Sequence, residues 1–190
     1  MCNRDNDIRN LSGKILLSTS SVQSENLSKS MVFICKHSKE GAVGVVINKL
    51  IPNITVCDVL EKLKINTEGV EDLEIHFGGL EEVDKCFILH SDDYMFANSV
   101  SVVNNIAFAM NEDVIKLVTS TCAPKKKLLC LGCGIWGPEQ LENEVASTYW
   151  IPIEADEALI FGDPMADKWS KALLKIGSRT NLFSNLQGSA

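Results

Sequence analysis

KLLCLGCGIWGPEQL, Lys127 to Leu141, is the stretch on which the chain's fold turns. Lys127 to Cys133 reads as a buried strand, a short apolar run behind one lysine. Gly132-Cys133-Gly134-Ile135-Trp136-Gly137 then spells G-x-G-x-x-G, and Gly137-Pro138 predicts a helix start. Proline at a first helical position gives up only a donor that would be unpaired there. In a dinucleotide-binding fold the helix begins near the second glycine, so that its N–H groups meet the pyrophosphate. Here Pro138 pushes the helix beyond the motif, and bulky Trp136 stands where the backbone would have to approach phosphate. The string therefore predicts a glycine-permitted turn from strand to helix, with Trp136 filling a core or groove, and no cofactor is expected. Free N–H groups at the helix start leave room for a small anion.

Cys130-Leu-Gly-Cys133 is a lone C-x-x-C pair. Cys130 falls inside the strand, and zinc would need two further ligands at matching spacing. Only Cys133, placed on the turn, is expected as a partly exposed, oxidisable thiol.

Working outward, the run Lys125-Lys126-Lys127 follows Pro124 and reads as a solvated turn guarding the strand. Upstream, Leu11–Leu17, Met31–Lys36 and Gly41–Asn48 read as strands, the last two joined as a hairpin through His37–Glu40. Ser18–Ser30 is a serine-rich turn region. Pro52 and Asn53 break the chain, and Thr55 caps a helix with Asp58 at its third position. Leu73–Phe77 and Cys86–His90 are strands; Val100–Val103 and Ile106–Ala109 are weaker ones. Asn111 is placed to cap a helix carrying Val114, Ile115, Leu117 and Val118. Tyr149–Ile153 is a late strand. Asp163, Pro164 and Gly177 bracket a final helix whose inner face is Met165, Trp169, Ala172, Leu173 and Ile176. The sum is one mixed α/β domain over residues 11–178, between a disordered segment 1–10 and a flexible tail 179–190.

The 190 residues carry a net charge of −7. That balance repels phosphate backbones and argues against direct nucleic-acid binding. The longest apolar runs, such as Ile106–Met110, are far short of the ~20 residues of a bilayer span, so no membrane partner is expected. The polar N-terminus lacks the apolar stretch of a secretory signal, which sets the expected location as cytoplasmic, with the seven cysteines reduced.

Three histidines, His37, His76 and His90, offer general-base chemistry. No G-x-S-x-G elbow or H-E-x-x-H accompanies them, and hydrogen-bonded structural roles are expected for each. Asp92-Asp93 beside His90 suggests a divalent metal only weakly, because adjacent strand residues face opposite ways.

Several strings fall in order along the chain. Met31-Val-Phe-Ile-Cys-Lys-His37 and Gly41-Ala-Val-Gly-Val-Val-Ile-Asn48 open it; Phe77-Gly-Gly79, Asp84 and Phe87-Ile-Leu-His90 stand mid-chain. Trp136-Gly137, Gln140-Leu-Glu142, Trp150 and the Trp169 helix close it. Together they resemble the signatures of the AlgH/YqgE family of small bacterial proteins. The resemblance implies a forked, mostly β sheet forming a pseudo-barrel flanked by about four helices. It also implies a regulator, since the family's best-known member is described as a transcriptional regulator of exopolysaccharide synthesis. No agreed catalytic residues transfer with it. Lys36 stands where the family usually has an acidic residue, Leu80 for a proline, Cys86 for a glycine, Cys133 for an aromatic and Ile135 for a glycine.

The favoured expectation is a non-enzymatic cytosolic regulator or interaction module whose transcriptional effect is indirect. Its ligand- or partner-binding residues would be His37, Asn48, Gly78, Gly79, Asp84, His90, Cys133, Trp136, Gly137, Gln140 and Glu142, taking a protein segment or a small anion. The alternative is a hydrolase using His90 with a nearby aspartate, Asp84 or Asp92, and a metal.

Overall fold

The computed structural model describes residues 10–110 and 123–177, apart from 63, 65 and 71. Among them ten strands form one sheet: β1 (Lys14–Ser18), β2 (Met31–Ser38), β3 (Gly41–Val46), β4 (Leu50–Thr55), β5 (Glu74–Phe77), β6 (Glu81–Ser91), β7 (Val100–Val103), β8 (Ile106–Met110), β9 (Lys127–Trp136) and β10 (Trp150–Glu154). Three helices, α1 (Val56–Lys62), α2 (Gln140–Ala146) and α3 (Met165–Gly177), and a π-helical turn at Ala158–Gly162 flank it. This is the mixed α+β class and the forked, curled sheet that the resemblance implies.

The main path runs β10-β1-β2-β3-β9-β6-β8-β7, with β5 also on β9 and β4 on β5. The fork lies along β9. Its first half pairs in parallel with β5, from Ile75 opposite Leu129 to Phe77 opposite Leu131. Its second half pairs antiparallel with β3, from Gly44 opposite Gly134 to Ala42 opposite Trp136. Strand β6 lies antiparallel along the other side, with a bulge between Glu81 and Cys86. Gly78 bridges the fork: its N–H donates to the Leu131 carbonyl at 2.7 Å, and its own carbonyl accepts the Val46 N–H at 2.8 Å. Glycine is required here by close approach. A Cβ on Gly78 would lie 2.1 Å from the Gly132 carbonyl oxygen, and one on Gly79 would lie 2.1 Å from Cys133 backbone atoms. Gly132 itself takes φ +75° to make the crossing.

Strand alternation divides the core between the two faces. Ile15, Leu17, Phe33, Val45 and Leu89 pack with Ala172 and Ile176 of α3. Leu16, Val32 and Ile34 face the other way, towards Leu141 of α2 and the indoles Trp136 and Trp150. Ile75, Ile88 and Leu129 pack with Val56 and Leu60 of α1.

Several expectations hold. The β2–β3 hairpin forms, with Val32 opposite Val46. Thr55 and Asp58 make a reciprocal cap, the Thr55 N–H donating to Asp58 Oδ2 at 2.8 Å and Thr55 Oγ1 accepting the Asp58 N–H at 3.4 Å. Strands β7 and β8 lie where expected.

Others are corrected. The glycine motif makes no strand-to-helix turn: β9 continues through Gly132, Gly134 and Ile135 to Trp136 because β3 and β6 pair with its backbone there. Pro138 does not open the helix; Gly137, Pro138 and a left-handed Glu139 (φ 60°) precede α2. Pro52 and Asn53 do not end the strand but lie within β4, in a bulge where Ile51, Pro52, Asn53 and Ile54 stand opposite Ile75 alone. Proline is tolerated there because β4 pairs only with β5, on a sheet edge. Strand β6 begins at Glu81 rather than Cys86. The carboxylate of Asp163 is taken by Lys171, and the first turn of α3 closes on the Pro164 carbonyl. The helix predicted after Asn111 and both terminal segments lie outside the described residues, apart from Asn10.

Candidate functional site

Where β3 replaces β5 beside β9, backbones meet without side chains between them, and a pocket of about 150 Å³ opens on the α2 side of the sheet. Val46, Gly78, Gly79, Leu80, Ile135 and Trp136 are among the residues that line it. Glu81 and Glu144 also line it, and among the described residues no lysine or arginine does.

One carboxylate organises this wall. Glu144 Oε2 accepts the indole N–H of Trp136 at 2.9 Å and that of Trp150 at 2.7 Å. Its Oε1 accepts Gln140 Nε2 at 2.9 Å, while Gln140 Oε1 accepts the Gly137 N–H at 3.0 Å. The indoles meet edge to face, centroids 6.1 Å apart. Gln140 and Glu144 share one face of α2 because they are four residues apart. Hydrogen bonds to an ionised acceptor are the strong ones, so the tryptophans are held rather than merely packed.

The other expected site residues divide into groups. His37 and Glu142 meet, Nε2 to Oε1 at 3.0 Å. His37 Nδ1 accepts the Leu11 N–H at 2.9 Å, so the proton of the neutral ring sits on Nε2 and donates to Glu142. The pair ties β2 to α2. Asn48 is also structural: its Oδ1 accepts the Met31 N–H at 2.7 Å and its Nδ2 donates to the Lys29 carbonyl at 2.8 Å. Asp84 is exposed on β6, and His90 lies about 20 Å further along that extended strand. His90 donates from Nδ1 to the Ser91 carbonyl at 2.8 Å, and its Nε2 meets Ser99 Oγ at 2.9 Å. Asp93 binds the Ser91 hydroxyl rather than His90. Among the described residues no three His, Cys, Asp or Glu side chains gather as a metal site.

Cys133 is 1% exposed, not the accessible thiol expected. Burial, then the nearby Glu81 and Glu82 carboxylates, push its pKa up to about 11. Cys130, deeper in the core, carries a thiol held well above its ordinary range, chiefly by burial.

Two buried ionisable groups stand on the opposite, α3-covered side. Lys168 Nζ donates to the Ile47 carbonyl at 3.2 Å and to the Ile160 carbonyl in the π-turn. Burial lowers its pKa to about 8. His76 sits opposite Cys130 with neither ring nitrogen hydrogen-bonded. Burial first, then the Lys168 charge, lower it to about 4, against a smaller opposing pull from the Leu129 backbone. It is a neutral ring at neutral pH.

A family model described as AlgH-like (DUF179) matches residues 15–181. The chain belongs to the AlgH-like family. It is 36% identical to a UPF0301 protein of Wigglesworthia glossinidia brevipalpis over 173 residues, 88% of this chain and 92% of that one. A UPF0301 protein of Afipia carboxidovorans is 32% identical over 189 residues, covering 95% and 90%. The solution structure of the AlgH protein from Pseudomonas aeruginosa superposes with a TM-score of 0.76 at 25% identity, across 96% of both chains. A crystal structure from Corynebacterium diphtheriae shares the fold at TM-score 0.68 and 18% identity, over 86% of each chain.

In this AlgH-like chain Gly78, Gly79, Trp136 and Gln140 converge on one pocket, whereas His37, Asn48, Asp84, His90, Cys133, Gly137 and Glu142 do not line it. Glu144, its organiser, was missed by sequence reasoning. The available signal was its four-residue spacing from Gln140 on the helix that follows Trp136; only the two indoles' convergence makes that spacing meaningful.

Proposed function

We propose that this AlgH-like protein is a cytoplasmic interaction module that regulates through a polypeptide partner, its fork pocket anchoring an apolar side chain that is flanked by basic residues. One observation carries this: an apolar pocket bordered by Glu81 and Glu144 and, among the described residues, by no basic side chain. At about 150 Å³ it is below the ~300–1,000 Å³ of small-molecule sites and suits a single anchoring side chain. Two carboxylates disfavour the small anion, and a net charge of −7 favours a basic partner. The same charge disfavours direct contact with DNA, so an effect on transcription runs through that partner.

Panning a random peptide library tests this. Enriched peptides should pair an aromatic or large aliphatic residue with Lys or Arg, shift the indole N–H resonances of Trp136 and Trp150, and lose binding to the Leu80→Lys variant. Enrichment of acidic peptides, or shifts confined to another face, would overturn it.

A further inference from the structure

Beyond that binding role, we propose that Ser99 and His90 form a nucleophile–base pair able to transfer the acyl group of a small carboxylic ester to water. The pair lies where β6 runs into the loop leading to β7, away from the fork pocket.

The hydrogen-bond directions are fixed by the protein's own groups. A carbonyl can only accept, so the 2.8 Å contact of His90 Nδ1 with the Ser91 carbonyl places the ring proton on Nδ1. Nε2 is then a lone-pair acceptor, and the 2.9 Å contact with Ser99 must be Oγ–H donating to Nε2. That is the direction general-base activation requires. A base that touches the hydroxyl and is oriented through its other nitrogen is the arrangement by which activated serines are recognised. Ser99 Oγ also accepts the Phe96 N–H at 3.1 Å, which leaves its second lone pair for attack.

The base is held in place. Phe96 packs edge to face on the imidazole, centroids 5.3 Å apart. The Ser91 hydroxyl binds the Asp93 carboxylate and accepts the Lys126 N–H at 3.1 Å, which pins the carbonyl that orients the ring. His90 is fully buried while Ser99 is half-buried, so the nucleophile lies nearer solvent than its base. Burial favours the neutral ring, against smaller opposing effects of the Ser91 carbonyl and of Asp93 and Asp92.

In the first step a bond forms between Ser99 Oγ and the ester carbonyl carbon, and the hydroxyl proton passes to His90 Nε2. The ester C–O bond then breaks, and the alcohol leaves with that proton. Water, deprotonated by the same nitrogen, attacks the acyl-serine and releases the acid with Ser99 restored. No metal or redox partner enters. Because the orienting group is a neutral carbonyl, the developing imidazolium gains less than a carboxylate would provide, and turnover is slow.

The test treats the full chain with a fluorophosphonate probe, which forms an O–P bond to an activated serine as fluoride leaves, and maps the adduct by peptide mass spectrometry. The expected result is one adduct on Ser99, absent from the Ser99→Ala variant. Hydrolysis of 4-nitrophenyl acetate should fall to background in the same variant. His90→Gln should slow labelling by about a hundredfold or more. Since His90 is buried and its replacement also disturbs the fold, Ser99→Ala decides. No adduct, an adduct on exposed Tyr94 instead, or ester hydrolysis unchanged by Ser99→Ala overturns the proposal.

Discussion

The two halves of β9 are one strand used in opposite ways. From Lys127 to Leu131 it lies between β5 and β6, and its side chains fill the cores on both faces, Leu128 and Cys130 on one and Leu129 on the other. From Gly132 to Trp136 it exchanges β5 for β3, and glycines replace side chains so that three backbones can pass within contact distance. The first half is held by buried apolar area. The second is held by backbone hydrogen bonds across the fork and leaves Ile135 45% exposed beside the pocket. The same strand thus shows what a site costs: side-chain packing is given up where a concave surface is made.

Gly79→Ala breaks this comparison most severely. Its Cβ would meet Cys133 backbone at 2.1 Å, which no rotamer relieves, and a loss above about 4 kcal/mol, seen as little folded protein by circular dichroism, is expected. In the packed half, Leu129→Ala should cost about 3 kcal/mol in urea unfolding while leaving peptide binding at the pocket intact. If Leu129→Ala proves as damaging as Gly79→Ala, the two halves do not differ in the way described.

His76 sharpens the picture through pH. Its folded pKa of about 4 lies below the ordinary 6.5, so the unfolded chain binds the proton more tightly. Stability is therefore full above pH 6.5 and falls as pH drops towards 4, by about 3 kcal/mol. Urea midpoints at pH 7, 5.5 and 4.5 should show this loss, and His76→Gln should flatten it. Glu144→Gln removes the charge from the bonds to both indoles and should cost about 2 kcal/mol, with a change in tryptophan fluorescence. Smallest is Lys126→Ala, just before β9, where an exposed pair with Glu157 is lost; the change should stay within about 0.5 kcal/mol.

Legibility followed the range of the interactions. The β2–β3 hairpin, the Thr55–Asp58 cap and the amphipathic α3 rest on residues close in sequence, and each was readable there. Nothing close to Lys168 in sequence marks its amine as buried, and only the Ile47 and Ile160 carbonyls show what holds it. Gly132 to Gly137 reads as a loop because glycines punctuate chains locally, and nothing nearby reveals that β3 and β6 will pair with that segment. Of the residues read as binding residues, Gly78, Gly79, Trp136 and Gln140 line the pocket and Cys133 is buried, while Glu144 was not among them.

Sequence alone was enough to settle the mixed class, most strands, the apolar face of the last helix and the family, because alternation, capping and ordered motifs are encoded within short windows. Tertiary structure decided the fork, the pocket, the Glu144 clamp and the pairing of Ser99 with His90. These depend on which distant backbones approach one another, and a glycine's missing side chain permits such an approach without naming its partner.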